Sequence, residues 1–171
     1  GSACTSTGWV TTFCMEHNWL LAHFDRDGQE AIFGKQPYVL APGSISPNGR
    51  AKAVEGGHLL NGRWSWGTGV MHADWVILNG VITREGERPE ARLFAIPRAD
   101  VEVDDTWYAA GMCGTGSNDI VARDVFVPRH LSQNVAPMRN GQSPGARWHN
   151  SPTFRYPMVP FLALTAASPL V

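Results

Sequence analysis

From Ser6 to Phe24 the apolar residues fall at Trp9, Phe13, Leu20 and Phe24, with Val10, Cys14 and Leu21 beside them. That spacing is one face of a helix. His17 lies on the same stripe. An imidazole there is either a core histidine with one satisfied hydrogen bond or a group presented to a buried cavity, placed to accept or hold a substrate proton. Asp25 or Asp27 can cap a second, short helix running through Gln29 to Phe33, and Gly34 suits the position after its end.

Beyond Pro37 the helical period is lost. The stretch to Arg50 begins as a strand at Tyr38-Val39-Leu40 and becomes a loop of Pro, Gly, Ser and Asn. His58, Leu59 and Leu60 lead into Asn61-Gly62, a pair that predicts a tight hairpin turn. Arg63, Trp64, Ser65 and Trp66 then alternate polar and aromatic, which puts both indoles on one strand face. Gly67-Thr68-Gly69 follows, a hydroxyl between two residues that lack Cβ, and such a segment lets a flat ligand approach the backbone. The same Trp and Gly residues also suit core packing and a bulge.

Strands are predicted over Trp75–Thr83, Arg92–Ile96, Val101–Val103 and Asp119–Val127, with a charged turn at Arg84–Pro89 and a Gly-rich segment at Gly111–Asn118. Short strands between turn signals indicate an antiparallel sandwich or barrel, not a βαβ sheet. Neither Gly-rich piece is a G-x-G-x-x-G between a strand and a helix, so no dinucleotide fingerprint is present. Leu131 to Pro152 reads as a long connection with little structure of its own, and Phe154 to Val171 as the entry to a second helical region. The fold class is α+β.

At 171 residues the chain fits one ordinary domain by length. It nonetheless starts in Gly-Ser-Ala-Cys-Thr without an initiator Met and ends in an apolar run, which leads us to expect a piece of something larger. A net charge of −1, with both signs mixed along the chain, argues against nucleic acid as a partner. Three unpatterned cysteines suggest a reducing cytoplasm. No signal-peptide layout appears and no apolar run approaches the roughly 20 residues of a membrane helix, so a soluble intracellular protein is expected. Cys14, His17 and His23 do not form a closed set of metal ligands, and no metal is expected.

One ordered set of motifs carries a family resemblance. His17-Asn18-Trp19, Pro47-Asn48-Gly49-Arg50-Ala51, the stretch from Gly62 to Gly69, His72-Ala73-Asp74-Trp75 and Gly114-Thr115-Gly116-Ser117-Asn118 occur in that order. The chain thereby resembles the acyl-CoA dehydrogenase superfold. More narrowly, it is similar to the oxygenase components of two-component flavin-dependent monooxygenases, the group that includes p-hydroxyphenylacetate 3-hydroxylase. Members are more than twice this long. The resemblance therefore implies a fragment: the end of an N-terminal helical domain (1–36), a middle antiparallel β domain (37–130), and a linker with the start of a C-terminal helical bundle (131–171).

The resemblance further implies reduced FMN or FAD as cofactor, delivered by a separate flavin reductase. With O2, it would hydroxylate a small aromatic substrate through a C4a-hydroperoxyflavin, in a homotetramer. Carried over by position, Thr68 meets the flavin N5, with Trp66, Gly67 and Gly69 beside the ring. Ser44 and Ser46 come from a loop that lines substrate and flavin, and His17 lies near the substrate hydroxyl. His17, Thr68 and Ser44 are thus the expected catalytic residues, and Trp64 and Trp66 the expected dry wall. Cys113 stands where relatives often have an arginine, so that arginine's interactions are not inherited. The alternatives are an FAD-dependent acyl-CoA dehydrogenase, whose carboxylate base would come from the bundle, and a truncated, non-catalytic β module.

Overall fold

The computed structural model describes residues 4–167, with side chains as far as residue 163. Gly1 to Ala3 and Ser168 to Val171, which include the first residues of the expected fragment start and the last of the apolar end, lie outside the described residues. Two helices open the chain, α1 (Thr5–Leu21) and α2 (Arg26–Phe33). Asp25 caps α2, its carboxylate accepting the Gly28 N–H at 2.8 Å.

Seven strands follow: β1 (Gly43–Val54), β2 (Gly57–Gly67), β3 (Trp75–Ile82), β4 (Glu90–Pro97), β5 (Glu102–Asp104), β6 (Asn118–Pro128) and β7 (Ser132–Asn134). They form one sheet in the order β5-β6-β2-β1-β3-β4-β7. Every neighbouring pair is antiparallel except β1 with β3. The expected α+β architecture of helices, a largely antiparallel sheet and a further helix is what the structure has. Short helices α3 (Val135–Met138) and α4 (Pro144–His149) then lead to α5 (Met158–Ala167).

Three local expectations are corrected. Asn61-Gly62 is not a turn but lies inside β2; the chain reverses at Glu55-Gly56, where Gly56 takes a φ of 77°. Asn61 instead holds a bulge. Between Leu60↔Val125 and Gly62↔Ala122, β6 carries one residue more than β2, and Asp124 there sits at a φ of 50°. The Asn61 amide bonds both the Asp124 carboxylate and its backbone N–H, at 2.8 and 2.9 Å. The Pro37–Arg50 stretch is also reversed: residues 37–42 are irregular and the strand begins at Gly43. Finally, Leu131–Pro152 is not structureless, because β7, α3 and α4 fall within it; Ser143 caps α4, accepting the Ala146 N–H at 3.3 Å.

The core is built around Trp64, which is fully buried and donates its indole N–H to the Asn79 carbonyl at 2.8 Å. The ring lies over glycine both on its own strand, β2, and on the neighbouring β1. A Cβ on Gly49 would lie 2.3 Å from the indole, and one on Gly62 2.7 Å. Leu60, Ile77, Leu78, Leu93 and Phe94 are fully buried in the same core, on both faces of the sheet.

Candidate functional site

At one end of the sheet a cavity of about 640 Å³ opens, within the roughly 300–1,000 Å³ of small-molecule sites. Trp9, Phe13 and His17, spaced one helical turn apart on α1, form one wall together with Glu16. The apolar stripe read from the sequence therefore divides. Leu20, Leu21 and Phe24 enter the core, whereas its N-terminal half faces open space.

His17 is held by its backbone neighbours. Its Nδ1 lies 2.7 Å from the Ala41 carbonyl oxygen, which can only accept, so Nδ1 carries the proton. Burial pushes the imidazole down to about 4, opposed by that backbone bond, and the ring is neutral near pH 7. Nε2 is then a bare acceptor. The adjacent Asn18 ties down the same segment, accepting the Val39 N–H at 3.0 Å and donating to the Val39 carbonyl at 2.9 Å. Asp74 adds a third tie, its carboxylate accepting the Leu40 N–H at 2.9 Å. The sequence His17-Asn18 thus fixes the approach to β1, from which Ser44 and Ile45 reach the cavity.

The opposite wall comes from the end of β2. Between Trp64↔Ile120 and Gly67↔Asn118, β2 carries one extra residue, and Trp66 adopts a φ of 69°. This breaks the alternation. The two indoles do not share a face as expected: Trp64 is 0% exposed in the core and Trp66 is 73% exposed at the cavity's rim. A bulky residue in left-handed backbone is strained by about 1–3 kcal/mol, and such strain clusters at functional sites.

Thr68 is buried and lines the cavity. Its Oγ1 lies 3.1 Å from Ser117 Oγ, which lies 2.7 Å from Thr115 Oγ1. Three hydroxyls thus form a row along one wall of the cavity. Trp107 and Met112 close this side. Asn118 holds their loop by accepting the backbone N–H groups of Thr106 and Trp107 at 2.9 and 3.0 Å, and the Trp107 indole donates to the Met112 carbonyl at 3.1 Å.

Of the predicted residues, the structure brings His17, Ser44, Trp66 and Thr68 to this one cavity. It does not bring Ser46, which is exposed beyond it, nor Gly67 and Gly69. Gly67 packs on β6, where a Cβ would lie 2.8 Å from Ile120, and Gly69 turns the chain with a φ of 78° while its N–H bonds the Thr115 carbonyl at 2.8 Å. These two glycines serve the chain's own close contacts. Thr115, Ser117, Trp107 and Glu16 were missed as site residues. The small hydroxyls flanking Gly116 in the Gly-rich segment were the available signal for the first two.

No protein-family model matches the chain. Over 170 residues it is 38% identical to the flavin-dependent monooxygenase oxygenase subunit HsaA of Mycobacterium tuberculosis, a match covering 99% of this chain and 43% of that protein. This chain is homologous to the oxygenase components of flavin-dependent monooxygenases. The crystal structure of 3-HSA hydroxylase from Rhodococcus sp. RHA1 superposes with a TM-score of 0.93 at 38% identity, over 99% of this chain and 44% of that one. XiaF from Streptomyces sp., solved in complex with FADH2 and glycerol, superposes with a TM-score of 0.84 at 30% identity, over 98% of this chain and 42% of that one. The chain thus spans less than half the length of these oxygenases. Their names favour the oxygenase reading over the acyl-CoA dehydrogenase alternative.

Proposed function

We propose that this chain supplies the flavin- and substrate-facing part of a two-component monooxygenase that hydroxylates a small aromatic compound. The observation that carries the reading is one cavity with a neutral histidine on its helical wall and a row of hydroxyls on its strand wall. A flavin ring fits this chemistry: the lining is largely apolar and aromatic, with the three linked hydroxyls on one wall and His17 on the other. Trp66, Thr68 and Ser44 would hold reduced FMN or FAD. When bound, that group activates O2 for transfer of one oxygen atom to an aromatic carbon.

The chain's own residues exclude water, orient the substrate and manage its proton. Trp9, Phe13, Trp66 and Trp107 make the dry walls. Trp64, assigned to that wall in the sequence, belongs to the core instead. His17 Nε2 accepts a hydrogen bond from a phenolic hydroxyl. An imidazole held near 4 cannot ionise a resting phenol, whose pKa is about 10. It takes the proton only as the ring loses electron density to the incoming oxygen, so base catalysis is timed to the chemical step.

The reading extends to a separate reductase, as the term oxygenase subunit in a relative's name suggests. It also keeps the division at residues 1–36, 37–130 and 131–171 and a homotetramer, both drawn from the family resemblance, and a cytoplasmic setting, drawn from the three unpatterned cysteines. No described helix is long and apolar enough to cross a membrane.

The test is hydroxylation of phenolic substrates by the full-length protein with reduced flavin and O2. His17→Ala is expected to lose at least a hundredfold in hydroxylation while still binding flavin, and Thr68→Ala to bind flavin more weakly. Equal product formation by His17→Ala, or no flavin binding by the parent protein, overturns the assignment.

A further inference from the structure

The hydroxyl row poses a question of direction. Ser117 Oγ lies within hydrogen-bond distance of both Thr115 and Thr68, at 2.7 and 3.1 Å, and all three side chains are buried. Ser117 has a single proton to give. If it donates to Thr68, the proton of Thr68 is free to point into the cavity. If it donates to Thr115, Thr68 donates to Ser117 and turns a lone pair to the cavity.

This choice matters for a ligand whose facing atom changes character. The central ring nitrogen of a flavin is a bare acceptor when oxidised and an N–H donor when reduced. Against the oxidised ring, Thr68 gives its proton to the ligand. Against the reduced ring it must accept, and its own proton then needs another acceptor. In this buried corner that acceptor is Ser117, with Thr115 taking the Ser117 proton in turn and directing its own into the cavity, which it also lines. A buried donor left without an acceptor is the costly failure, whereas a spare lone pair costs less.

Resting on the flavin reading above, we propose that Ser117 is a positioning residue that lets Thr68 receive the reduced form of the flavin. It does so by accepting the Thr68 proton only when the ligand is a donor. The role belongs to Ser117 and Thr115 acting through Thr68.

The test is equilibrium binding to the full-length protein of oxidised flavin in air and reduced flavin under anaerobic conditions. Ser117→Ala is expected to weaken reduced flavin roughly five- to a hundredfold, the factor equivalent to one unsatisfied buried donor, and to change oxidised flavin less than about threefold. Ser117→Thr, which keeps the hydroxyl, restores binding of reduced flavin. If Ser117→Ala does not fold, Thr115→Val reads the same effect at smaller size, because it removes the acceptor for the Ser117 proton. Equal weakening of both forms, or no change in either, overturns the inference while parental flavin binding leaves the proposed function standing. Failure of the parent protein to bind either form overturns both.

Discussion

His17 and Ala41 are joined across the cavity's edge by a bond from Nδ1 to a carbonyl oxygen 2.7 Å away. The bond fixes the ring's tautomer and orientation, as a second group must for any histidine used as an acceptor. It also makes the charged form costly, because burial outweighs the help that the carbonyl gives to a protonated ring.

Acid stability follows from that imbalance. His17 and His23 are both buried and both held near 4; for His23 the cause is burial, with a smaller contribution from nearby His149. Their protons bind the unfolded chain below about 6.5 but the folded chain only near 4. The unfolded state therefore gains protons first, and stability falls as pH drops through that window, by on the order of 3 kcal/mol for each residue. Urea unfolding between pH 8 and pH 4.5 measures the slope. Replacing His23 with Gln is expected to flatten it, and an unchanged slope in that variant excludes His23 as a source.

Trp66 predicts a trade between stability and binding. Its φ of 69° is strained and its side chain is 73% exposed, so little packing is lost if it is removed. Trp66→Gly is expected to stabilise the fold by about 1 kcal/mol while weakening flavin at least tenfold. Thermal unfolding and a fluorescence titration measure the two effects. A variant less stable than the parent contradicts the strain argument.

The ring of Trp64 sets a steric test. Gly49→Ala places a Cβ 2.3 Å from the indole, and overpacking of this kind costs about 1–3 kcal/mol. Trp64→Phe opens space there but loses the bond to the Asn79 carbonyl. The double variant is expected to be more stable than the sum of the two losses predicts. Additive losses in a denaturation cycle deny that these residues compete for one space.

Asn61 can be tested as a bulge clamp. Asn61→Ala removes both bonds to Asp124, exposed at the sheet surface, and is expected to cost about 1 kcal/mol. Asp124→Gly, which tolerates the positive φ, is expected to lose less than Asp124→Ala. A larger loss for glycine contradicts the left-handed bulge.

The strands and helices were legible wherever one periodicity ran unbroken. Trp75–Thr83 is β3 but for its last residue, in unbroken register with β4, and the second helix ends at Phe33 as read. The failures fall where one extra residue shifts the count. A bulge before Gly67 sends Trp66 away from Trp64, and no local pattern announces it. Asn61-Gly62 carries the chemistry of a turn, but strand pairing on both sides uses those residues for a bulge clamp and a close approach. Of the residues that line the cavity, the resemblance pointed to His17, Thr68 and Ser44. Ser117 was not legible, because its importance lies in two neighbours that only the folded loop brings to it.

The two outermost strands, β5 and β7, are three residues each. Beside β5, Arg63 of β2 bonds Asp104 and Asp119 at 2.6 and 2.8 Å, laying charged groups across that margin. Each outer strand is too short to present more than a few backbone groups, and β6 runs on beyond β5 from Ala122 to Pro128 with the left-handed bulge at Asp124 interrupting its edge. A chain adding to either flank would meet a three-residue strand or a bulged one, so sheet extension into fibrils is disfavoured there.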